Sequence, residues 1–390
     1  MSLIGQNINA NDSAGSGYVV YNVALFAVTI LFSFKDIKLS KLNKGSLFLF
    51  GVIFFYVFSY VVELGLSDAT KTEWFSKSFY FFILFSVAGV VIGVIVSQNG
   101  TSNFYKHLDF LSFLIGIGYL RSIPMMLIAG EMLGGYQDVS YYSALSFGFI
   151  LYGLIANRND RFFVFKYRII RYLTVVVGAL LIVCVLASGG RGGLVLLVAE
   201  LAFSLTILFK RSSTSKSLIV MAIFMMTALF ASNYIMKSSV GDVVSIGMER
   251  GLSYFNSGKI DMSETSNRDI VYKEHIQRIK DNPIIGEGIY TVLGKYEWPH
   301  NFFLELLATG GVMFLLFWLI ILVNCYRYLK IMIKQDRNNQ YLVPLILYPS
   351  IMLLFSSSYI ETRLFWFAIA VLLSEGHKIT RQIKLVQSYR

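Results

Sequence analysis

Long apolar stretches alternate with short polar segments along almost the whole chain. A helix that spans a membrane needs roughly 20 mostly apolar residues, and about eleven stretches approach this length. They lie at 18–34, 46–66, 78–97, 108–130, 138–155, 169–187, 194–209, 217–236, 301–325, 341–357 and 362–375. The pattern predicts an all-α polytopic membrane protein with about eleven or twelve transmembrane helices.

One long polar segment, residues 237–300, interrupts this pattern. We therefore expect a single membrane domain with an inserted loop domain that contains short helices. Helices one to eight would occupy 1–236, the loop 237–300, and helices nine to eleven with a tail 301–390. No internal repeat or low-complexity tract is visible in the sequence.

A surface helix is predicted inside this loop. Ser266, Asn267 and Asp269 supply a polar cap and an acid around Arg268, as is typical of a helix start. An apolar stripe then runs beside basic residues, at Tyr272, Ile276 and Ile279. Such a helix lies on a membrane surface with its stripe toward lipid or toward the transmembrane bundle. Asn282-Pro283 would end the helix, and Gly286-Glu287-Gly288 would form a turn.

Lysine and arginine concentrate in alternate short loops, and this bias sets the orientation of a membrane protein. The basic loops contain Lys35, Lys38, Lys41 and Lys44; Arg158, Arg161, Lys166 and Arg168; Lys210, Arg211 and Lys216; Arg327, Lys330, Lys334 and Arg337; and Lys378, Arg381 and Lys384. With eleven helices they all fall on one side. We therefore expect a cytoplasmic carboxyl terminus, an outer amino terminus and an extracytoplasmic 237–300 loop. Residues 1–17 are polar and lack a basic segment, so no cleaved signal peptide is expected.

Composition changes this interpretation little. The chain is 56% apolar, and its net charge of +11 follows from the basic loops, so no nucleic-acid partner is predicted. Cys184 and Cys325 fall in helices near opposite membrane faces, so we expect no disulfide.

The outer turn at 188–193 is a candidate anion site. Its sequence, Ser-Gly-Gly-Arg-Gly-Gly, precedes a helix, and glycines such as Gly189 and Gly190 allow backbone amides to converge. A helix amino terminus attracts anions, and the Arg191 guanidinium can grip phosphate with two hydrogen bonds. The alternative is a tight glycine turn with an arginine anchored at the lipid headgroups.

A second candidate lies where the loop meets the ninth predicted helix. Pro299 would pre-set the first turn of this helix, with His300 and Asn301 at its amino terminus. A histidine there can act as a base near neutral pH, or it can be an interfacial residue of an aromatic belt. Glu305, four residues after Asn301, should share its face. An acid this deep in a helix is a functional candidate, or the partner of an arginine.

Further ionisable residues fall within predicted helices. Arg121 interrupts the fourth helix as a site residue, as a buried partner of Glu63, Glu131 or Glu305, or as a cation that reaches the interface. Glu200 in the seventh helix is a weaker candidate because it lies toward the cytoplasmic half. Carboxylates and histidines of the loop lack metal-ligand spacing, so we expect no metal site.

Three of these segments, in this order, resemble the O-antigen ligase and polymerase superfamily. They are Ala187-Ser188-Gly189-Gly190-Arg191-Gly192, then Asn267-Arg268 with Asn282-Pro283-Ile284-Ile285-Gly286-Glu287-Gly288, and finally Pro299-His300-Asn301-Phe302-Phe303-Leu304-Glu305 ahead of Gly310-Gly311. The resemblance covers roughly residues 170–330. One departure is Gly190, where many members of the superfamily have a serine.

The resemblance implies a glycosyltransferase of the C type in the bacterial inner membrane, with its active site facing the periplasm. The donor would be an oligosaccharide on undecaprenyl pyrophosphate, with no cofactor, metal or nucleotide sugar. Arg191 and Arg268 would hold the pyrophosphate, and His300 would lie near the acceptor hydroxyl as its base or as a residue that orients it. The expected substrate-binding residues are Gly189, Gly190, Asn301, Glu305, Arg121 and Arg278.

Within this superfamily we favour a Wzy-type O-antigen polymerase of lipopolysaccharide biosynthesis, since polymerases are divergent and rich in Phe, Tyr, Ile and Lys like this chain. Its expected partner is a chain-length-determining membrane protein. A ligase that transfers the polymer to lipid A core is the first alternative. A flippase or transporter is the second, although the sequence shows neither repeated halves nor an evident broken helix. A structural scaffold would not explain a buried Arg121 and Glu305.

Overall fold

A computed structural model describes residues 41–66, 72–123, 136–156, 167–209, 268–295 and 298–388, with the single positions 222, 226 and 245. The predicted helix at 18–34, nearly all of the one at 217–236, residues 1–17 and most of the 237–267 segment lie outside this described part.

Helices make up all the regular structure of the described residues. In chain order they are α1 Lys44–Leu66, α2 Glu73–Phe81, a π-helical segment Phe82–Val87, α3 Ala88–Asn99, α4 Thr101–Leu120, α5 Tyr136–Ala156, α6 Arg168–Ser188, α7 Arg191–Phe209, α8 Arg268–Asp281, α9 Ile289–Lys295, α10 Phe302–Gln335, a 3₁₀ turn Arg337–Tyr341, α11 Leu342–Phe355 and α12 Arg363–Ser388. The predicted all-α class is confirmed.

Several helices of the described part are long and apolar enough to cross a membrane. They are α1, the continuous stretch Glu73–Asn99 that contains α2 and α3, α6 and α10. The outward face of α1 is strongly apolar, and Phe54 is 70% exposed. Exposed aromatic side chains on a long apolar helix suit contact with lipid. The described helices therefore agree with a polytopic membrane protein.

Two helices extend well beyond their predicted ends. α10 ends at Gln335 rather than at 325, and α12 ends at Ser388 rather than at 375. Arg327, Lys330 and Lys334 consequently lie on the last turns of α10 and not in a loop. Lysine and arginine are good helix formers, so a helix can continue into a basic segment once its apolar stripe continues. In α10 this stripe is Cys325, Leu329 and Met332, all buried.

The described residues fall in two compact units. The first contains the described residues of 41–101, 268–339 and 352–388, and the second contains those of 102–245 and 340–351. In the first unit α3 packs closely on α12, where a Cβ at Gly93 would collide with Ala370 and with the Phe367 carbonyl. Small residues permit this approach between apolar helices.

An aromatic cluster fills the first unit. The Trp366 ring lies 5.6 Å from Tyr56 and 5.4 Å from Trp318, while Tyr359 lies 5.8 Å from Trp318. In the second unit α5 packs against both α6 and α7. The residues of interest therefore rest on two separate helical frameworks.

Candidate active site

The glycine turn of the second unit joins α6 to α7. Gly189 has φ 66° and ψ 15°, the left-handed conformation that commonly ends a helix. α7 begins at Arg191, and its first helical hydrogen bond runs from Leu194 N to Gly190 O, at 3.1 Å. The amides before Leu194 have no intrahelical carbonyl to bind, as at every helix start. Half-buried Arg191 thus lies at the positive end of α7.

The other glycines of this turn are needed for close packing against α5. Ser140 Oγ donates to Gly190 O at 2.9 Å, and a Cβ at Gly190 or Gly193 would collide with Ser140. A Cβ at Gly192 would collide with the Tyr141 hydroxyl. A serine at position 190 would meet the same obstacle, which explains the glycine found there.

Arg121 was predicted to lie inside a helix. It instead follows Leu120, the last residue of α4. Its side chain is exposed, so the prediction of a buried arginine is wrong. The helix was predicted to continue to 130, but within the described residues α4 ends at Leu120. Glu200, by contrast, is fully buried on α7 against Gly148.

In the first unit, α8 packs through a different face from the predicted stripe. Arg268 is the first residue of α8, and its side chain lies outside the described part. Val271 and His275, one turn apart, are the buried residues of α8, whereas Ile276 is 43% exposed. The predicted stripe therefore does not pack as a unit against the bundle.

Arg278 ties α8 to the turn that follows it. Its guanidinium lies 3.0 Å from the Glu274 carboxylate and 3.1 Å from that of Glu287, with only 11% of the side chain exposed. Two acids thus share the charge of this predicted substrate-binding residue. The pair with Glu287 crosses the predicted helix end, since α8 stops at Asp281.

α10 is broken near its amino-terminal end, and the turn that precedes α9 fills the break. Gly311 has φ 62° and ψ −164°, far from helical values. Residues 283–288 insert there, and we call this turn together with Gly310 and Gly311 the clasp. Glu287 N donates to Ala308 O at 3.0 Å and Gly288 N to Thr309 O at 2.9 Å.

The clasp also satisfies the donors on the other side of the break. Val312 N donates to Pro283 O at 2.9 Å and Met313 N to Ile284 O at 3.2 Å. A helix break in an apolar environment leaves carbonyl and amide groups that need partners, and the clasp supplies all four bonds. The expectation that the chain contains no broken helix is therefore wrong.

His300 and Asn301 lie at the start of α10. Asn301 is the N-cap: its side-chain oxygen accepts from Phe303 N at 3.1 Å and Leu304 N at 3.2 Å. Half-buried His300 has φ 48°, a conformation uncommon outside glycine. Pro299 was predicted to belong to the first turn of this helix. It lies two residues before the cap, so that prediction is wrong.

Glu305 lies in the core of the first unit. Its side chain is 1% exposed, and its carboxylate accepts from Ser358 Oγ. The Asn301 side chain caps α10 through the Phe303 and Leu304 amides, and a face shared with Glu305 stays a prediction. Glu305 therefore has a hydrogen-bond partner within the protein, and this bond links α10 to the segment between α11 and α12.

Sequence reasoning gave Glu63 only the role of an alternative partner for Arg121. The Glu63 carboxylate instead accepts from Ile289 N at 2.9 Å, Thr291 N at 2.7 Å and Thr291 Oγ1 at 2.9 Å. An acid within an apolar helix was the available signal, but its partner lies more than 200 positions away.

Glu63 also lines an apolar cavity of about 660 Å³ in the first unit. α1 contributes Phe48, Gly51 and Phe55, the clasp contributes Gly288 and Gly310, and α10 contributes Phe314. Apart from Glu63, Ser59 and Thr309 the lining side chains are apolar or absent.

The comparison with known families agrees with this organisation. Residues 176–319 match the family model described as O-antigen ligase. No curated protein matches the chain. The match includes the glycine turn with Arg191, the Arg268 helix, the clasp and the His300–Asn301 start of α10. Residues 176–319 are therefore similar to the O-antigen ligase family, over less than half of the chain.

Proposed function

We propose that this protein is an O-antigen polymerase. It would join oligosaccharide repeat units, carried on undecaprenyl pyrophosphate, at the periplasmic face of the bacterial inner membrane. The observation that carries the proposal is the family match over residues 176–319, which contains all three predicted catalytic residues. The orientation proposed from the basic loops places the 237–300 segment on that face.

The proposed reaction transfers a glycan from one lipid carrier to an acceptor hydroxyl. The acceptor oxygen attacks the anomeric carbon of the donor, and the bond from that carbon to the pyrophosphate oxygen breaks. His300 takes the proton of the acceptor hydroxyl. Arg191 and Arg268 neutralise the charge that develops on the leaving pyrophosphate, with no metal required.

The surroundings of two of these residues suit their roles. Arg191 begins α7, where the helix dipole adds to the guanidinium charge. His300 is half-buried beside a capped helix start, so its backbone is anchored by Asn301. These properties support an anion site and an ordered base.

The apolar cavity of the first unit supports the use of a lipid-linked donor. Its walls are formed by α1, the clasp and α10, and side chains such as Phe55 are also exposed on the outer surface of α1. From Phe48 to Glu63 the lining extends roughly 22 Å along α1, at 1.5 Å per residue. That is about two-thirds of the hydrocarbon thickness of a bilayer. We propose that the prenyl chain of the donor occupies it.

A ligase is the second candidate, because the matching family is described by that activity. A ligase and a polymerase need the same pyrophosphate chemistry and differ in the acceptor. We favour the polymerase because this chain is divergent and rich in Phe, Tyr, Ile and Lys.

Deletion of the gene in its host distinguishes these functions. The polymerase predicts single repeat units on lipid A core in the deletion strain, and complementation with the intact gene should restore long chains. Unattached polymer would instead assign the ligase function. Loss of all surface repeats would indicate a flippase. The chain-length-determining partner is tested in the same strain background by copurification with the tagged protein.

A further inference from the structure

The Glu63 carboxylate of α1 binds the start of α9. It accepts two backbone N–H groups and the Thr291 hydroxyl, at distances of 2.7 to 2.9 Å. Thr291 is 9% exposed and Glu63 is half-buried, so the bonds are partly shielded from solvent. A carboxylate in an apolar helix is costly unless it is well bound, and these three donors satisfy it.

The same region is fastened to its neighbours on both sides. Upstream, Arg278 on α8 binds Glu287 of the clasp at 3.1 Å. Downstream, the backbone of the clasp exchanges four hydrogen bonds with α10 around Gly311. Gly288, directly before α9, has φ 103° and lies against the Glu63 carboxylate. α1, α8, α9 and α10 therefore meet in one hydrogen-bonded junction.

This junction lies in the chain between Arg268 and His300. Arg268 begins α8, which leads into the clasp, and His300 follows α9 directly before α10. The bonds of Glu63 thus constrain the segment that connects the two residues. Movement of α9 relative to α10 would change where both of them lie.

We infer that Glu63 is a positioning residue for the outer site, acting with Thr291 through α9 and the clasp. The inference rests on the proposed function for the catalytic roles of Arg268 and His300. The hydrogen bonds of Glu63 do not depend on that function. Neither Glu63 nor Thr291 contacts the reacting groups in this scheme, although Glu63 also lines the cavity proposed for the prenyl chain. Loss of their bonds lowers the fraction of molecules in which Arg268 and His300 are correctly placed.

Thr291→Val and Thr291→Ser form the matched pair for the test. Valine keeps the shape of threonine and removes the Oγ1 donor to Glu63, whereas serine keeps the donor. Glu63→Gln removes the charge and leaves one oxygen acceptor in place of two, so it loses at least one of the three bonds and weakens the others. We expect Thr291→Val and Glu63→Gln to lower kcat by about tenfold or more, with a rise in the donor KM because a misplaced Arg268 also binds the donor less well. Thr291→Ser should retain near-normal kcat.

A distance measurement provides a readout that does not depend on activity. Spin labels at Lys273 on α8 and Phe303 on α10, both exposed, report the arrangement of the two helices. We expect a narrow distance distribution in the intact protein and in Thr291→Ser, and a broader one in Thr291→Val and Glu63→Gln.

Unchanged kcat together with a narrow distribution in both weakened variants would overturn the inference. Loss of activity only in proportion to folded protein would also overturn it, because Glu63 would then act on stability alone. If the intact protein makes no polymer, the proposed function fails, while the distance distributions still decide the positioning role.

Discussion

Two glycine-rich segments, the 188–193 turn and the clasp, use their glycines for different reasons. In the 188–193 turn, Gly190, Gly192 and Gly193 allow α5 to come close. The obstacles to a Cβ are side-chain atoms of Ser140 and Tyr141, with the Ser140 backbone added at Gly193. In the clasp, Gly286, Gly288 and Gly311 have positive φ. The obstacles at Gly286 and Gly311 are backbone atoms.

The glycines of the 188–193 turn are therefore needed for helix packing, whereas those of the clasp are needed for its backbone conformation. The 188–193 turn places Arg191 at a helix start on a closely packed pair of helices. The clasp replaces the hydrogen bonds of a broken helix with bonds from a turn and so fixes a long segment of chain before α10. The 188–193 turn thus places a charged side chain at a helix start, and the clasp fixes the backbone around the break in α10.

The largest expected effect comes from the two predicted pyrophosphate ligands. Arg191→Ala and Arg268→Ala should each lower polymer formation by about 10²–10³-fold, since each removes a charge that stabilises the leaving group. Lysine at either position should restore only part of the activity, because an ammonium cannot bind phosphate in the bidentate manner of arginine.

Arg171→Ala is a matched control for this pair, because Arg171 is exposed near the opposite end of α6. Polymer length and yield in a deletion strain, with the protein quantified in the membrane, provide the measurement. Full activity in either Arg191→Ala or Arg268→Ala would remove that residue from the mechanism.

A smaller effect is expected when the cavity beside the clasp is filled. Gly51 lines the cavity and a Cβ there meets open space, so Gly51→Leu should block a prenyl chain without disturbing α1. We expect the donor KM to rise by about tenfold, with kcat less affected.

Gly65→Leu is the control for this substitution, because Gly65 is exposed on the same helix and does not line the cavity. Equal KM values for Gly51→Leu and Gly65→Leu in a kinetic assay with purified protein would rule out this cavity as the prenyl site.

The two kinds of glycine should also differ in stability measurements. Gly192→Ala and Gly311→Ala are each expected to cost about 1–3 kcal/mol. The cost at Gly192 should shrink in combination with Tyr141→Ala, which removes the obstacle, with a coupling of about 0.5–3 kcal/mol. At Gly311 the cost should simply add to that of Ile284→Ala, because the obstacle there is backbone.

Unfolding of the purified variants in detergent gives these free energies. Equal coupling free energies in the two double-mutant cycles would contradict the proposed difference between Gly192, needed for packing, and Gly311, needed for its backbone conformation.

The smallest expected effect is a pH dependence near the start of α10. Glu361 lies in the turn between α11 and α12, and burial raises its pKa from 4.5 to about 7, partly offset by the Ser357 hydroxyl. A raised pKa in the folded state means that its stabilising contribution is present below about pH 4.5 and is lost as pH rises through 7.

Glu361→Gln should remove this dependence, worth about 1–2 kcal/mol after allowance for partial exposure. The Tm of the intact protein should therefore fall more between pH 5 and pH 8 than that of Glu361→Gln. Parallel pH profiles for the two proteins would contradict the raised pKa.

The sequence alone predicts the helical framework better than the junctions within it. Apolar length is a local property, so α1, α5, α6 and α7 lie within a few residues of their predicted positions. The break in α10 depends on a turn that binds it from outside the helix, and Gly310-Gly311 alone is common in unbroken membrane helices. Arg121 was placed inside a helix because its flanking residues are apolar, although α4 ends just before it.

The candidate site divides in the same way. The side chains expected at Arg191, Arg268 and His300 could be chosen from motifs, because charged residues at helix starts carry a local signal. The role of Glu63 could not be predicted, since its partners Ile289 and Thr291 are set by the tertiary fold.

The most direct test of the central claim is polymerisation by the purified protein with a lipid-linked donor in the presence of a chelator. We expect the intact protein to extend the glycan, and His300→Ala to retain donor binding while its turnover falls by about 10²–10⁴-fold, as for loss of a general base. Asn301→Ala should lose less, because it removes only the cap of α10. Near-normal turnover in His300→Ala would contradict the proposed base, and complete inhibition by the chelator would contradict metal-independent transfer.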